Sequence, residues 1–233
     1  MEKNIRFKFS RGEGLKYLSH LDILRLFDRA LRRSKLPVAY TQGFNPKQKL
    51  IFGLPMSVGL TSDAEYADIE LEEDTNPVFF KDALNSSLPQ DIRVLDAMEY
   101  GGHDNIMNQI SAARYEIAFE TAKDTDQLKM DGLVNGLMSG DEIPVMKRTK
   151  KGMRQQNIRP LIYSLSAVKR DKNIFALDAF LSAGTENNLR ADLLMEAIGK
   201  ETGLEFKVLS MHRRALYTSV LNEWKDPFEV VNG

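Results

Sequence analysis

One order of hydrophobic periodicities occurs twice in this chain, and that repeat constrains the fold more than any single motif does. In the first half, Ile5 to Phe9 (IRFKF) alternates at period two and reads as a strand. A helix runs from about His20 to Ser34, and Leu36-Pro37 ends it, because a residue before proline is pushed out of the helical region. Val38 to Thr41 and Leu50 to Leu54 read as short strands around the loop QGFNPKQ, and Ala67 to Leu71 as another. Asn76-Pro77 opens a second helix with proline in its first turn, and Ile92 to Met98 closes the half as a strand. Collapsed to its core elements the order is β-α-β-β-α-β, the split βαβ, ferredoxin-like arrangement, with one β position elaborated.

The second half follows the same succession. Tyr115 to Phe119 is a strand, and Leu128 to Met138 a helix despite Gly132 and Gly136. Val145 to Lys147 and Leu161 to Val168 flank a basic loop, Ile174 to Leu181 is a strand, a helix capped by Asn187 or Asn188 follows, and Phe206 to Ser210 ends the series. Residue identities do not repeat. The expectation is an α+β chain of two ferredoxin-like units packed together: residues 1–100, a GGHDN-type linker at 101–110, residues 111–218, and a C-terminal tail at 219–233 that docks by Trp224 and Phe228 or stays loose. A length of 233 residues suits either one large domain or two of about 100–120 residues.

The net charge of −1 conceals a partition. Arg11 to Lys49 holds nine Lys/Arg against three Asp/Glu, Thr61 to Asp104 two against twelve, and Lys147 to Arg159 six against none. Separated blocks create local fields that the total does not show, and two basic blocks favour a polyanion partner. With no cysteine, disulfides, zinc fingers and thiolate-held iron–sulfur clusters are excluded, and three scattered histidines (His20, His103, His212) argue against a metal site. No cofactor is called for. No apolar run approaches the ~20 residues of a membrane span, and the start MEKNIRFKFS lacks a signal-peptide core, so a cytoplasmic location is expected.

Candidate binding residues fall in three places. Ser19 and Asp22 form a capping-box pattern, after which Leu24, Phe27, Ala30 and Leu31 share one helix side while Arg25, Arg29, Arg32 and Arg33 share another. Pairs from Asp22 to Arg25 and Asp28 to Arg32 would occupy two arginines and leave Arg29 and Arg33 for phosphate. The loop Gln42–Lys49 sets Phe44 between glycine and asparagine, followed by Pro46, Lys47 and Lys49; its ring is either a platform for an unstacked base or a core anchor. The block Lys147, Arg148, Lys150, Lys151, Arg154 with Arg159 is suited to phosphate-backbone contact. His20, at a helix start that disfavours imidazolium, is the one candidate general base, against the plainer reading of a buried histidine bonded to backbone. Asp63, Glu65, Asp68, Glu70, Glu72 and Glu73 alternate, placing Asp68, Glu70 and Glu72 on one exposed, protein-docking or solvated face.

YLSHLD, RALRRSKLP, QGFNPKQKL with GLPMSVGL, and KKGMRQQNIRPLI resemble the bacterial radical SAM-linked family, a domain of unknown function, from Ile5 to about Tyr217. The resemblance implies a domain found beside or fused to a radical SAM protein, encoded near ribosomal-protein and RNA-processing genes, and so an accessory role around RNA. Lys47 stands where that family tends to have histidine after GFNP, which suits phosphate better than proton transfer. Without the three cysteines that a radical SAM cluster needs, this chain is not the radical SAM subunit. Three readings stay open: an RNA-binding accessory of a radical SAM partner, a metal-independent RNA-cleaving or RNA-modifying enzyme using His20, and a protein-docking module.

Overall fold

The chain is described by a computed structural model covering residues 3–102, 104–149 and 152–230; for Lys3, Lys147, Arg148 and Thr149 the backbone alone is described. Elements follow in chain order: β1 (Lys3–Arg11), α1 (His20–Ser34), β2 (Leu50–Phe52), β3 (Leu60–Leu71), α2 (Pro77–Asn85), β4 (Ile92–Tyr100), α3 (Ile106–Gln109), β5 (Ile110–Thr121), α4 (Gln127–Ser139), β6 (Pro144–Thr149), β7 (Gly152–Asn157), β8 (Ile162–Lys169), β9 (Ile174–Ser182), α5 (Ala191–Thr202), β10 (Phe206–Val220) and β11 (Glu223–Lys225). The chain divides into two units, one of Met1–Ser111 with Arg213–Gly233 and one of Ala112–His212. The expected tail at 219–233 is thus part of the first unit, and β10 changes unit between His212 and Arg213. The expected linker at 101–110 contains α3 and ends inside the first unit.

In the first unit β1 pairs antiparallel with β3 on one side and β4 on the other, and β2 pairs antiparallel with the far side of β3. The strand order is β4-β1-β3-β2. Alternation along β1 decides what each sheet face carries. Ile5, Phe7 and Phe9 are buried under α1 and α2 with Ile23, Phe27, Ala30, Leu31, Phe80 and Leu84. Phe27 is the pivot, its ring lying 5.0 Å from Phe9, 5.2 Å from Phe52 and 6.0 Å from Phe7. Burial of an aromatic side chain contributes about 1.5–3 kcal/mol, so this cluster fixes which side of α1 faces water. Ile23 takes the buried place that the pattern gave to Leu24, which is partly covered.

Asn4, Arg6 and Lys8 point to the opposite face, where Arg6 is fully buried and Asn4 and Lys8 are partly covered. The Arg6 guanidinium donates to Asp68 Oδ1 at 2.7 Å and Oδ2 at 2.9 Å and to Gln109 Oε1 at 2.6 Å, and it lies 3.7 Å from the Tyr100 ring centre. The Ile106 N–H donates to Asp68 Oδ2 at 2.7 Å, tying α3 to the sheet. The C-terminal segment covers the neighbouring positions. Tyr66 Oη and Lys8 Nζ both donate to Asp226, the Phe228 ring stands 5.5 Å from Tyr66, and Trp224 stays 40% exposed. Glu65, fully buried, accepts from Arg213 Nη1 at both carboxylate oxygens, at 2.7 and 2.8 Å; burial pushes its carboxyl up, against the pull of that guanidinium.

In the second unit β5 pairs antiparallel with β9, β9 pairs antiparallel with β8, and β10 is the other neighbour of β5. The order β10-β5-β9-β8 repeats β4-β1-β3-β2 place for place. Its core sets Phe119 against Phe175 and Phe206, beneath Val134 and Leu137 of α4 and Leu194 and Ile198 of α5. One addition stands out: between α4 and β8, where the first unit has the loop from Lys35 to Lys49, the second inserts the β6–β7 hairpin. The fold is mixed α+β, mostly antiparallel strands with few helices. No helix among the described residues is long and apolar enough to cross a membrane.

Candidate functional site

Helix α1 starts where the sequence places its cap. Ser19 Oγ accepts the Asp22 N–H, and the Asp22 carboxylate accepts the Ser19 N–H, which closes the capping box and holds the Asp22 carboxyl below its usual range. The buried Arg11 sets the preceding turn by donating to the carbonyls of Leu15, Lys16 and Leu18. Both expected pairs form: Arg25 reaches Asp22 at 3.3 Å, and Arg32 grips Asp28 at 3.1 and 3.2 Å. Arg33, expected to be available, donates instead to the Ser87 carbonyl at 2.6 Å. Among the described residues Arg29 is exposed and meets no hydrogen-bond or ion-pair partner.

The GFNP loop stands beside this face. Tyr40 and Gln48 form a bridge at its base, Thr41 N–H donates to the Lys47 carbonyl at 2.8 Å, and the Lys47 N–H donates to Thr41 Oγ at 3.0 Å. Gln48 Nε2 reaches the Asp28 carbonyl at 3.4 Å, and the Arg32 guanidinium lies 6.0 Å from the Tyr40 ring, so helix and loop share one surface. The closed base holds the tip outward. Gly43 takes φ +123°, a conformation that a side chain opposes. Phe44 is fully exposed (106%), which removes the core-anchor alternative. Lys47 is exposed, while Lys49 is bonded to Glu70 at 2.6 Å.

A cavity of about 690 Å³ opens on the polar side of the first unit's sheet. Asn4, Ile51, Asp68 and Glu70 make its floor, Thr41, Lys47 and Lys49 one wall, and Tyr100, Gly102 and Asn105 the other. A side chain at Gly102 would start 2.2 Å from the Tyr100 hydroxyl, so that wall requires glycine. Its sequence signal was the run Asn4, Arg6, Lys8 alternating with Ile5, Phe7 and Phe9. That run predicts a polar second face, but it does not predict what covers it.

In the second unit the basic block is the β6–β7 hairpin, with Lys147 opposite Arg154 and Arg148 opposite Met153 in register. Arg154 is exposed, Met153 is 60% exposed, and Gly152 turns with φ +115°. Lys150 and Lys151 lie outside the described residues, as does His103, and so do the side chains of Lys147 and Arg148. Arg159 departs from expectation. Its guanidinium donates twice to the Met138 carbonyl, at 2.6 and 3.1 Å, and once to Ile162, closing the C-terminal end of α4 rather than facing a ligand.

His20 is half-buried at the first position of α1, its ring 5.8 Å from Phe52 and edge-on to it. Burial lowers its pKa, so the imidazole is neutral near pH 7. Nδ1 is shut off from solvent with no hydrogen-bond partner, so only the other ring nitrogen is left to reach a substrate. The acidic strand also corrects expectation: Glu65 and Asp68 are buried in ion pairs, and Glu70 holds Lys49. No exposed face is shared by Asp68, Glu70 and Glu72. Among the described residues no three His, Asp or Glu side chains converge as a metal site would need.

Fold and site together define an α+β protein with a cation-bearing connection at the same place in each unit and a polar cavity in the first. Residues 4–191 match the family described as uncharacterized proteins conserved in bacteria (DUF2344), and the chain belongs to that family. No curated protein matches it. Among solved structures it is similar, at 11% identity and TM-score 0.49, to a chain of a Cbf5-Nop10-Gar1 complex, over 92% of this chain and 48% of that one. A chain of the archaeal box H/ACA sRNP Nop10-Cbf5 complex gives 11% identity and TM-score 0.47, over 91% and 46%. An unknown protein from Galdieria sulphuraria gives 9% and 0.25, over 89% and 98%. The chain spans about half the length of the first two. Likenesses at this level carry no inference about what it does.

Proposed function

We propose that this chain is a cytoplasmic RNA-binding accessory protein of two ferredoxin-like units, working with a radical SAM partner in RNA modification or ribosome-related processing. The observation that carries the RNA reading is Phe44, a fully exposed aromatic ring on a braced loop, with Lys47 three residues on and the arginine side of α1 alongside. A solvent-facing phenyl contributes nothing to the core, and base stacking on such a ring is worth about 1–3 kcal/mol. The ferredoxin-like assignment is supported by the repeated order β4-β1-β3-β2 and β10-β5-β9-β8 with a helix in each crossover. The radical SAM partner is inferred from the motif resemblance alone. The accessory role is preferred to the His20 enzyme because one ring nitrogen of His20 is closed to solvent and unpartnered.

Fluorescence anisotropy with a structured RNA across a salt series tests the reading. Affinity is expected to fall steeply with salt, and Lys150→Ala/Lys151→Ala/Arg154→Ala to weaken binding and flatten the slope. The purified chain is expected to leave the RNA chemically unchanged. Salt-insensitive or absent binding, or cleavage that His20→Ala abolishes while the protein stays folded, would overturn it.

A further inference from the structure

We infer that the patch of β1 and β3 beneath the C-terminal segment of the first unit is a single-stranded RNA site, and that this segment occupies it as a stand-in for the ligand. The inference deepens the RNA-binding reading and rests on it. The segment from Glu223 to Glu229 holds three carboxylates against one lysine, together with Trp224 and Phe228. Negative charge and aromatic rings are also what a single strand offers, as phosphates and bases.

The contacts identify the groups that would be shared. Lys8 and Tyr66 are cross-strand partners of β1 and β3. Lys8 Nζ at 3.2 Å and Tyr66 Oη at 2.7 Å both donate to Asp226 Oδ2, so an ammonium and a hydroxyl converge on one anionic oxygen, as they would on a phosphate. The Phe228 ring stands edge-on to Tyr66, 5.5 Å between centres, in the place a base would take. Arg6 stays committed to Asp68, and Asp96, opposite Lys8 in register, turns its carboxylate onto the Ala97 N–H. Lys8 is therefore the cation this patch offers a phosphate.

The closure is light. The Lys8 and Asp226 side chains keep 27% and 35% of their exposure, so water screens the pair. The turn that returns the segment places both Leu221 and Asn222 at left-handed φ, +51° and +66°. Asparagine tolerates that conformation and leucine opposes it. Leu221 is also 92% exposed, so little packing offsets the strain. A strained turn beside a screened ion pair lets the segment open while the sheet stays intact. Closed about ten times as often as open, it would lower the apparent affinity for RNA about tenfold.

Fluorescence anisotropy of the full chain with a labelled oligo(U) strand tests the site. Asp226→Ala/Phe228→Ala should bind about tenfold more tightly than wild type, with a salt slope steeper by about one phosphate contact. Adding Lys8→Ala should take that gain away. Leu221→Asn/Asn222→Gly, which suits the turn, should hold the segment down and bind several-fold more weakly. Trp224, two residues before Asp226, should change its emission when the strand lifts the segment of the wild type. Circular dichroism checks that each variant folds. A segment with a structural role alone gives no gain in affinity when its contacts are cut.

Unchanged or weaker binding by folded Asp226→Ala/Phe228→Ala, or a gain that survives Lys8→Ala, overturns the site. If that variant does not fold, Leu221→Asn/Asn222→Gly decides: weaker binding supports the site, and unchanged binding overturns it. Salt-dependent binding of structured RNA by the wild type, with no gain for oligo(U) in the variant, removes the site and leaves the RNA reading standing. Absence of RNA binding by wild type and variants alike removes both.

Discussion

Replacing Asp68 by alanine should cost the first unit about 3–5 kcal/mol, the range for stranding one partner of a buried ion pair. The magnitude follows from what Arg6 would have left. Its side chain is fully buried, and after the loss of two carboxylate bonds at 2.7 and 2.9 Å it keeps the neutral Gln109 and Pro227 carbonyls and the face of Tyr100. Neutral partners do not replace a counter-charge in a poorly solvated site. The same substitution orphans the Ile106 N–H, a loss of about 1–3 kcal/mol on its own. The two losses share an oxygen and do not add in full. Asp68→Asn separates them, because its amide oxygen still accepts from Ile106 while the charge is gone. Urea denaturation followed by fluorescence suits the test, since the chain's one tryptophan, Trp224, sits in the first unit. At about 1–3 kcal/mol per molar urea, the midpoint should fall by roughly 2 M for Asp68→Ala. A loss under about 1 kcal/mol, or Asp68→Asn no worse than wild type, would refute the argument that the charge dominates.

Three further outcomes are expected. Gly132→Ala and Gly136→Ala should each stabilise α4 by about 1 kcal/mol, since a methyl at either position meets nothing within 4 Å; thermal melts read the gain. Phe44→Ala should leave the melting temperature unchanged and cost RNA affinity about 1–3 kcal/mol; a destabilised variant would mean that the ring is not a free platform. His20 should make stability fall with acid. Its folded pKa lies below the ordinary 6.5, so between the two values the unfolded chain binds the extra proton, and stability present above pH 6.5 is lost as pH falls toward the folded value. His20→Phe should remove that component from a stability–pH series.

Much of the fold was legible because period-two and period-3.6 patterns report burial directly. IRFKF, the Ser19 cap, Phe27, Ala30 and Leu31, and the Asn76-Pro77 start all stand where the patterns put them. What escaped was set by long-range pairing. β3 begins at Leu60, seven residues before the expected strand Ala67 to Leu71, and Asp68, which the alternation puts on an exposed face, is buried against Arg6 as Glu65 is against Arg213. Those partners lie 62 and 148 residues away in sequence. Arg159 misled for the same reason: nothing local distinguishes an arginine aimed at phosphate from one closing a helix 21 residues upstream. For the α1 arginines the local pairs were predictable from i,i+3 and i,i+4 spacing, whereas the Arg33 bond to Ser87 was not.

The repeat bears on function through the places where the units differ. Both have the same strand order, so the shared elements make the cores, and differences concentrate in the connection between the first helix and the second strand. There the first unit has a loop braced at Tyr40 and Gln48 with an aromatic at its tip, and the second a two-stranded hairpin with cations in register. A braced aromatic tip suits contact with a single base, because stacking needs a ring held at a fixed angle. A hairpin with Lys147 opposite Arg154 suits a phosphate backbone, where charge matters more than orientation. Under the RNA-binding proposal, base contact is therefore expected of the first unit's loop and backbone contact of the second unit's hairpin, so Phe44→Ala and Arg154→Ala should differ in kind: the first should lower affinity with the salt slope unchanged, the second should flatten that slope.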